Sequence, residues 1–477
     1  MIGIALTAIG VLATFAVTSL QIFNPDPCVL GECAFQFVSG GSLYGDVWQD
    51  KPPLAIMAYA IPQLVAPGSY AALQVFVGAV LLGLGAYAAA RTRTRAAAWL
   101  SAVIVVVIPL SHVDLLWAST EHFANVFVLA GLALAWRERQ NDTAGLWVAW
   151  AAGAAVALAF HVRQTTLPAA LIYVAVVLAS QRSFKDRFRR LAAFGLGGFA
   201  AWLAVIGTIA MVGNVQGYID TVFLYPSRYG SLGSWRAVGR LALESAQTPL
   251  PVVAALLLAT VWGTKHRAMA SGSFVVGLVI CALPRRDVIH YLASLLPFLV
   301  LLVWIAETGN QRARETLKVI AIGVTVWGLL SAGLSLARIV ETPSTLWMDE
   351  VVEEIEAVAP PGATLWVAGP KVATYIQFAS DLPPANTFFV PFQLDPPLVD
   401  ALPVPRERIM AAYLAQPPTV LVVSGELFES LPALGHPPPV STIRDSRQLA
   451  AALLAGGRYR VRGSVSGFLV LTEIARP

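Results

Sequence analysis

Charged residues are scarce in this chain of 477 residues, where Asp, Glu, Lys and Arg together make up 13%. An ordinary soluble domain carries roughly 25%. Apolar residues reach 57%, and the mean hydropathy is +0.68. This composition excludes a soluble globular protein, and equally a disordered or fibrous one. It predicts a polytopic membrane protein, because one crossing of a bilayer needs about 20 apolar residues.

Cysteine and a strong excess of one charge sign are also lacking. Three cysteines are too few for a disulfide scaffold and have no zinc-site spacing. A formal net charge of +4 is weak support for nucleic-acid binding, so no nucleic-acid partner is expected. The first apolar run, residues 1–23, has neither the basic start nor the cleavage site of a signal peptide. We interpret it as a retained span.

Eleven apolar runs predict the membrane spans. They cover residues 1–23, 69–90, 96–111, 117–136, 143–161, 164–180, 191–212, 247–263, 270–283, 290–306 and 316–338. The run 54–65 contains Pro62 and is too short for a comfortable crossing. If it does not cross, the basic loops at 91–95, 137–139, 182–190, 265–267 and 312–318 all fall on one side. The positive-inside rule makes that side cytoplasmic, whereas a crossing at 54–65 would turn the basic 182–190 loop outward.

This orientation predicts a cell-membrane protein with a cytoplasmic N-terminus and an outer segment after residue 340. Residues 341–477 are rich in proline, with predicted strands at 363–369 and 419–425. A helix is expected at 447–455 and a closing strand pair at 459–464 and 467–472. The fold class is therefore an α-helical membrane domain over 1–340 and a small extracytoplasmic α/β domain over 341–477. The smaller domain lacks a glycine-rich phosphate loop, and both a lid or docking role and a purely stabilising role stay open.

The outer segment 24–68 concentrates ionisable residues. It carries Asp26, Glu32, Asp46, Asp50 and Lys51. Its first part has the pattern of an amphipathic juxtamembrane helix that ends at a Gly-Gly pair. Acidic side chains in such a loop are most often simply solvated, so the other outer boundaries decide whether a site exists.

Further ionisable residues lie at the outer ends of three other predicted spans. Glu121 is placed within a span, where an acid is more often functional than decorative. The basic and aromatic members of the set are Arg163, Arg285, Arg286, His290 and Tyr291. Arginines at helix ends commonly snorkel to the interface, but the whole set falls on one face of the membrane. A phosphate-containing lipid needs such cations, and a hydroxyl acceptor needs a carboxylate base. A transporter or flippase of lipid-linked substrates is the alternative, because it would also bury charges.

The loop from Asp26 to Leu54 resembles the first outer loop of the GT-C membrane glycosyltransferases. The resemblance is to the protein O-mannosyltransferase-like branch, which includes the aminoarabinose (lipid A) transferases. That branch has an acidic pair, a short helix, Gly-Gly, an aromatic residue, Asp and Lys-Pro-Pro. The corresponding residues here are Asp26, Gly40-Gly41, Tyr44, Asp46 and Asp50-Lys51-Pro52-Pro53, with Pro27 in place of the second acid and Cys28 in place of the following glycine. Weaker matches are Ser119-Thr120-Glu121, His161-Val162-Arg163-Gln164 and the segment from Arg285 to Pro297.

The resemblance implies inverting transfer of a sugar from a polyprenyl-phosphate donor to a hydroxyl of a lipid, glycan or protein. Asp26 would be the catalytic base, with Glu32 as the alternative. Lys51, Arg163 and one of Arg285 or Arg286 would bind the donor phosphate. Orienting roles would fall to Asp50, Glu121, His290 and Tyr291. No metal and no cofactor is expected.

Overall fold

The structure is a computed structural model of the chain. The residues that it describes are 25–46, 49–110, 112, 115, 119–141, 143–231, 233–286, 288–340, 346–369, 373–386, 390, 394–395, 398–402, 404–430 and 439–474. The predicted first span, residues 1–23, lies outside them.

Helices make up most of the described chain up to Val340. The α-helices are α1 Pro25–Val38, α2 Pro53–Gln63, α3 Tyr70–Ala90, α4 Arg95–Leu110, α5 Ser119–Gln140, α6 Leu146–Val162, α7 Ala170–Leu178, α8 Phe184–Val212, α9 Val215–Ile219, α10 Tyr225–Ser231, α11 Trp235–Glu244, α12 Leu250–Val261, α13 Arg267–Ala282, α14 Leu296–Glu307 and α15 Gln311–Val340. Short 3-10 segments cover Gln164–Ala169, Ser245–Gln247 and Ile289–Leu295, and a π-helical turn covers Asp220–Leu224.

Three of the described helical segments are long and apolar enough to cross a membrane. They are Tyr70–Ala90, Phe184–Val212 and Ile289–Glu307, and a fourth is added if the pair Trp235–Gln247 and Leu250–Val261, bent by 85°, forms one span. Together with the composition, these helices place the protein in a membrane. Several other predicted runs fold as shorter helices; the run 164–180 is a 3-10 segment followed by the nine-residue α7. The count of eleven spans stays a prediction, and α2, with 11 residues, is too short to cross.

The juxtamembrane helix predicted after Asp26 is present as α1. Asp26 stands in its first turn, where a carboxylate interacts favourably with the positive end of the helix dipole. The helix ends just before Gly40, whose φ of 98° is a left-handed backbone that a glycine adopts without strain. The Gly-Gly pair therefore turns the chain back toward α2.

Close packing of α6 on α8 shows how small residues bring the helices together. A Cβ atom on Gly153 would lie 1.8 Å from the carbonyl oxygen of Phe194, and one on Gly197 would lie 1.9 Å from that of Trp150. Glycine at both positions lets the two backbones touch, as is common at helix crossings in membranes.

A small mixed sheet forms the centre of the C-terminal part. Its strands are β1 Leu365–Ala368, β2 Val420–Ser424, β3 Tyr459–Val465 and β4 Phe468–Glu473, in the order β1-β2-β4-β3. β1 and β2 are parallel and the other neighbours antiparallel. The helices around the sheet are α16 Leu346–Val358, α17 Ala373–Ala379, α18 Leu398–Ala401, α19 Arg406–Ala415, α20 Gly425–Glu429 and α21 Ser446–Leu454, with 3-10 turns at Val440–Thr442 and Ala455–Gly457. The strands and the helix predicted from the apolar pattern are thus present, within two residues of their expected bounds.

The C-terminal part packs directly on α1 through α17. Phe378 is fully buried, and a Cβ atom on Gly31 would lie 2.8 Å from its ring. The rings of Tyr375 and Tyr70 meet edge to face with centroids 6.0 Å apart. The juxtamembrane helix is therefore enclosed between the membrane helices and the C-terminal part.

Enclosure of α1 makes Glu32 a buried acid. Its side chain is fully buried, it accepts a 2.9 Å hydrogen bond from the amide of Gln36, and its Oε2 has no hydrogen-bond partner in the described part of the chain. Burial is the largest cause that raises the pKa of Glu32 from an ordinary value of 4.5 to about 8; the hydrogen bond from Gln36 lowers it, and the charge of Asp381 adds to the rise. Glu32 is consequently neutral at pH 7.

A stability measurement can test the neutral state of Glu32. Between about pH 4.5 and 8 the folded protein holds a proton on Glu32 that the unfolded chain has released. The stabilisation is therefore complete below about pH 4.5 and is lost as the pH rises through 8, with a slope of up to about 1.4 kcal/mol per pH unit. We expect the thermal midpoint of the wild type to fall over this range relative to that of Glu32→Gln. The exposed Glu429→Gln is the control, and parallel profiles for wild type and Glu32→Gln would contradict the assignment.

Candidate active site

Lys51 is held by the turn that joins α1 to α2. Tyr44 has a left-handed backbone with φ 61°, and its hydroxyl donates a 2.8 Å hydrogen bond to the carbonyl oxygen of Lys51. Pro52 caps α2 with an extended backbone, and Pro53 occupies the first turn, where no backbone N–H is needed. The loop is anchored elsewhere by Asn214, whose backbone N–H donates to the carbonyl of Leu43 at 2.8 Å. These contacts fix the lysine at the point where turn becomes helix.

The ammonium group of Lys51 pairs with the carboxylate of Asp50 and also feels the charge of Asp26. Its Nζ is 3.4 Å from Oδ2 of Asp50, and the two side chains are 28% and 22% exposed. Burial lowers the pKa of Lys51, but the charges of Asp50 and Asp26 raise it more, and the net pKa lies above its ordinary value. Lys51 is therefore a firmly charged cation near the half-buried Asp26 of α1.

A second ion pair lies at the adjoining end of α5. Arg163, at the end of α6, donates through Nη1 to Oε1 of Glu121, and both side chains are buried. Thr120 supports the pair, since its hydroxyl donates to Oε2 of Glu121 at 2.8 Å and lies 3.3 Å from Nη1 of Arg163. Thr165 accepts a 3.0 Å hydrogen bond from Nε of Arg163. The guanidinium group is thus oriented by three side chains.

His290 and Tyr291 complete the cluster from the 3-10 segment Ile289–Leu295. The ring of Tyr291 lies under the Arg163 guanidinium, with 4.6 Å from Cζ to the ring centroid, a cation–π geometry. Nε2 of His290 is 3.6 Å from Oε1 of Glu121. Tyr291 and Arg163 also act on the charge of Lys51, so the two ion pairs form one neighbourhood.

Two of the sequence-predicted site residues, Arg285 and Glu32, are placed differently. The Arg285 guanidinium stacks on the ring of Trp235 at 5.0 Å, and its backbone has φ 52°. Glu32 is turned toward Gln36 and the C-terminal part, as described above. Arg286 follows Arg285 in the segment between α13 and the 3-10 segment Ile289–Leu295. The residues that the structure brings together are Asp26, Asp50, Lys51, Glu121, Arg163, His290 and Tyr291.

The sequence pattern did not single out Thr120, Thr165 and Tyr44 for the contacts they make. Thr165 follows Arg163 by two positions, a spacing that allows a local side-chain bond, and Thr120 adjoins Glu121. Tyr44 was expected only as part of a motif. In the described part of the chain, no three or more His, Cys, Asp and Glu side chains are grouped so that they could hold a metal ion, and we assign no metal ligands there.

Loss of Arg163 is expected to destabilise the fold, because it leaves the buried Glu121 without its counter-charge. Arg163→Leu should cost about 3–5 kcal/mol in the free energy of unfolding, and the double variant with Glu121→Gln should recover most of that loss. Thermal unfolding in detergent would measure both. Lys318→Leu breaks the exposed pair with Glu315 and should cost less than about 1 kcal/mol. If Arg163→Leu and Lys318→Leu lowered the free energy of unfolding by similar amounts, the buried pair would contribute no more to stability than the exposed one.

Comparison with known proteins identifies the fold class. No protein-family model and no curated protein sequence matches the chain, whereas solved structures match it over almost its full length. They show that the chain has the GT-C fold of membrane glycosyltransferases, which confirms the fold expected from the first loop.

The matching structures include those of ArnT from Cupriavidus metallidurans. The structure of ArnT bound to undecaprenyl phosphate has a TM-score of 0.66 at 13% sequence identity, covering 99% of this chain and 98% of that chain. The apo state has a TM-score of 0.60 with the same identity and coverage. AglB from Archaeoglobus fulgidus matches more weakly, with a TM-score of 0.47. At 13% identity the similarity to ArnT shows the fold alone.

Proposed function

We propose that the protein is an inverting glycosyltransferase, which moves a sugar from a polyprenyl-phosphate donor to a hydroxyl acceptor at the outer face of the cell membrane. The observation that carries the proposal is the placement of the half-buried Asp26 beside the charged Lys51, next to the oriented Arg163. A carboxylate and phosphate-binding cations within one neighbourhood are the groups that this transfer needs. The GT-C fold supports the same reaction class.

Asp26 is assigned the role of general base in this proposal. It removes the proton from the acceptor hydroxyl as the oxygen attacks the anomeric carbon of the sugar. The bond from that carbon to the phosphate oxygen breaks, and polyprenyl phosphate leaves with the bonding electrons. Asp26 is preferred to Glu32, because Glu32 is protonated at neutral pH, fully buried and turned toward Gln36.

Lys51 and Arg163 are assigned to the donor phosphate. Their positive charges stabilise the phosphate as its charge grows in the transition state. Asp50 positions Lys51, and Glu121, His290 and Tyr291 position Arg163. Arg285 and Arg286 stay secondary candidates for the phosphate, because Arg285 is engaged by Trp235.

A groove beside the site suits the prenyl chain of the donor. It has a volume of about 430 Å³ and lies between α11, α12 and α13, with walls that are almost entirely apolar. Cys281 lines the groove and also donates from its thiol to the carbonyl of Tyr291 at 3.1 Å. A long apolar tail could therefore lie in the groove while its phosphate reaches the site. The matched ArnT structure contains undecaprenyl phosphate, which is a lipid of this kind.

The most direct experiment compares the lipids and envelope glycans of cells with and without the gene product by mass spectrometry. The proposal expects one molecular species to lose the mass of a single sugar, which names both the sugar and the acceptor. Proteoliposome assays separate the alternative function. Movement of lipid-linked glycans between leaflets, without any sugar transfer, would favour a flippase and contradict the proposal.

A further inference from the structure

A second groove lies at the membrane end opposite the candidate active site. Its volume is about 330 Å³, and it runs between α7 and α13. Arg139 lines it near the end of α5, about 27 Å along that helix from Glu121 at 1.5 Å per residue. Lys265 and His266 line it just before α13 begins, whereas Cys281, at the far end of α13, adjoins the site. The groove is therefore separate from the proposed donor groove.

The walls of this groove are apolar and its cations stand at one end. Ile172 and Val176 form one wall, and Met269 and Val276 form the other. None of its lining residues is acidic. The nearby Glu138 is fully buried and binds Arg182 and Arg190 instead, so it does not neutralise Arg139.

Two buried polar atoms in the groove have no hydrogen-bond partner within the described residues. They are Nδ1 of His266 and the hydroxyl of Ser273, on side chains whose residues are 8% and 2% exposed. Arg139 and Lys265 both lower the pKa of His266, after the larger effect of burial, which places both cations near the imidazole. Unsatisfied buried polar groups are costly, and a ligand with acceptor oxygens would satisfy them.

We propose that this groove binds one anionic phospholipid, with its headgroup phosphate at Arg139, Lys265 and His266 and an acyl chain along α7 and α13. The cations at one end of the groove match the charged headgroup of such a lipid, and the apolar walls match its acyl chain. Basic pockets between membrane helices commonly bind anionic headgroups. The hydroxyl of Ser273, two turns further along α13, donates to an ester oxygen of the lipid.

Native mass spectrometry of the purified full-length protein can test this site with phosphatidylglycerol and phosphatidylcholine as probes. We expect the wild type to retain one phosphatidylglycerol in preference to phosphatidylcholine. Arg139→Gln with Lys265→Gln should weaken that binding about 30-fold, on the basis of about one factor of five for each lost charge. The charge-matched control is Lys185→Gln with Arg189→Gln, two exposed basic residues in the first two turns of α8, and it should bind as the wild type does.

A second variant tests the acyl-chain half of the site without changing charge. A Cβ atom on Gly272 meets nothing within 4 Å, so Gly272→Leu projects into the open groove and improves the helix propensity of α13. It should displace the lipid, while Gly207→Leu, at an equally open position in α8, should not. We expect Gly272→Leu to keep the fold. It therefore still tests lipid binding in the groove if the double charge variant fails to fold.

Four outcomes would overturn the proposal. The first is equal binding of the two lipids by the wild type, and the second is unchanged phosphatidylglycerol binding in Gly272→Leu. The third is displacement of the lipid by millimolar inorganic phosphate, which would indicate a site for free phosphate. The fourth is a dimer that Gly272→Leu dissociates, which would indicate that a second copy of the chain fills the groove.

Discussion

An Asp26→Asn variant is expected to transfer sugar about 1,000-fold more slowly than the wild type while it still folds and inserts. A general base contributes 10²–10⁴-fold to a rate, and asparagine cannot accept the proton of the acceptor hydroxyl. The substitution keeps the shape of the side chain, and the lost interaction with the N-terminus of α1 is worth only about 0.3–1 kcal/mol. The kcat for release of polyprenyl phosphate from a labelled donor would measure the effect.

Two variants on the same segment make the Asp26 result specific. Asp46→Asn changes an exposed acid whose carboxylate accepts a 2.6 Å hydrogen bond from the Ser42 backbone N–H, and it should retain nearly full activity. Glu32→Gln should also remain active, because Glu32 is already neutral. An active Asp26→Asn together with an inactive Glu32→Gln would transfer the role of base to Glu32.

Removal of the Lys51 charge is expected to reduce kcat/KM by about 10²–10³-fold. Within the described residues, the ammonium group of Lys51 forms an ion pair with Asp50 alone. Loss of a preorganised charge beside a developing anion typically lowers a rate by about 10²–10³-fold. In Lys51→Ala, Asp50 and Asp26 would also lose the positive charge with which both interact. We therefore expect the affinity for the donor to fall together with kcat.

Lys51→Arg distinguishes a charge requirement from a purely structural one. Arginine keeps the charge but not the compact shape of the ammonium, so partial activity is expected. The control Lys318→Ala removes an exposed lysine of α15 and should leave kcat/KM unchanged. Equal activity of wild type and Lys51→Ala, measured at a donor concentration below KM, would show that Lys51 does not bind the phosphate.

Local sequence patterns predicted those parts of the fold that depend on interactions between residues close along the chain. The apolar alternation located β1 and β2 within two residues, and the Gly-Gly pair marked the end of α1. In each case the decisive interaction joins residues that are close along the chain.

The pairings across the site could not be predicted in the same way. Glu121 and Arg163 are 42 positions apart, and no spacing rule links the ends of α5 and α6. Arg285 looked like a phosphate ligand, but its guanidinium group stacks on Trp235, the first residue of α11. The enclosure of α1 involves Phe378, which packs next to Gly31 and lies in a part of the chain whose contact with α1 has no sequence signal.

The contact of Gly31 with Phe378 can form only long after Gly31 has been synthesised. About 350 residues separate the two positions, and at about 5–20 residues per second a ribosome needs roughly 20–70 s to add them. During that interval the face of α1 that Phe378 later covers lies open beside the nascent membrane helices. The carboxylate of Asp26 is thus among the first parts of the candidate site to be made, and the surroundings of its helix are among the last to be completed.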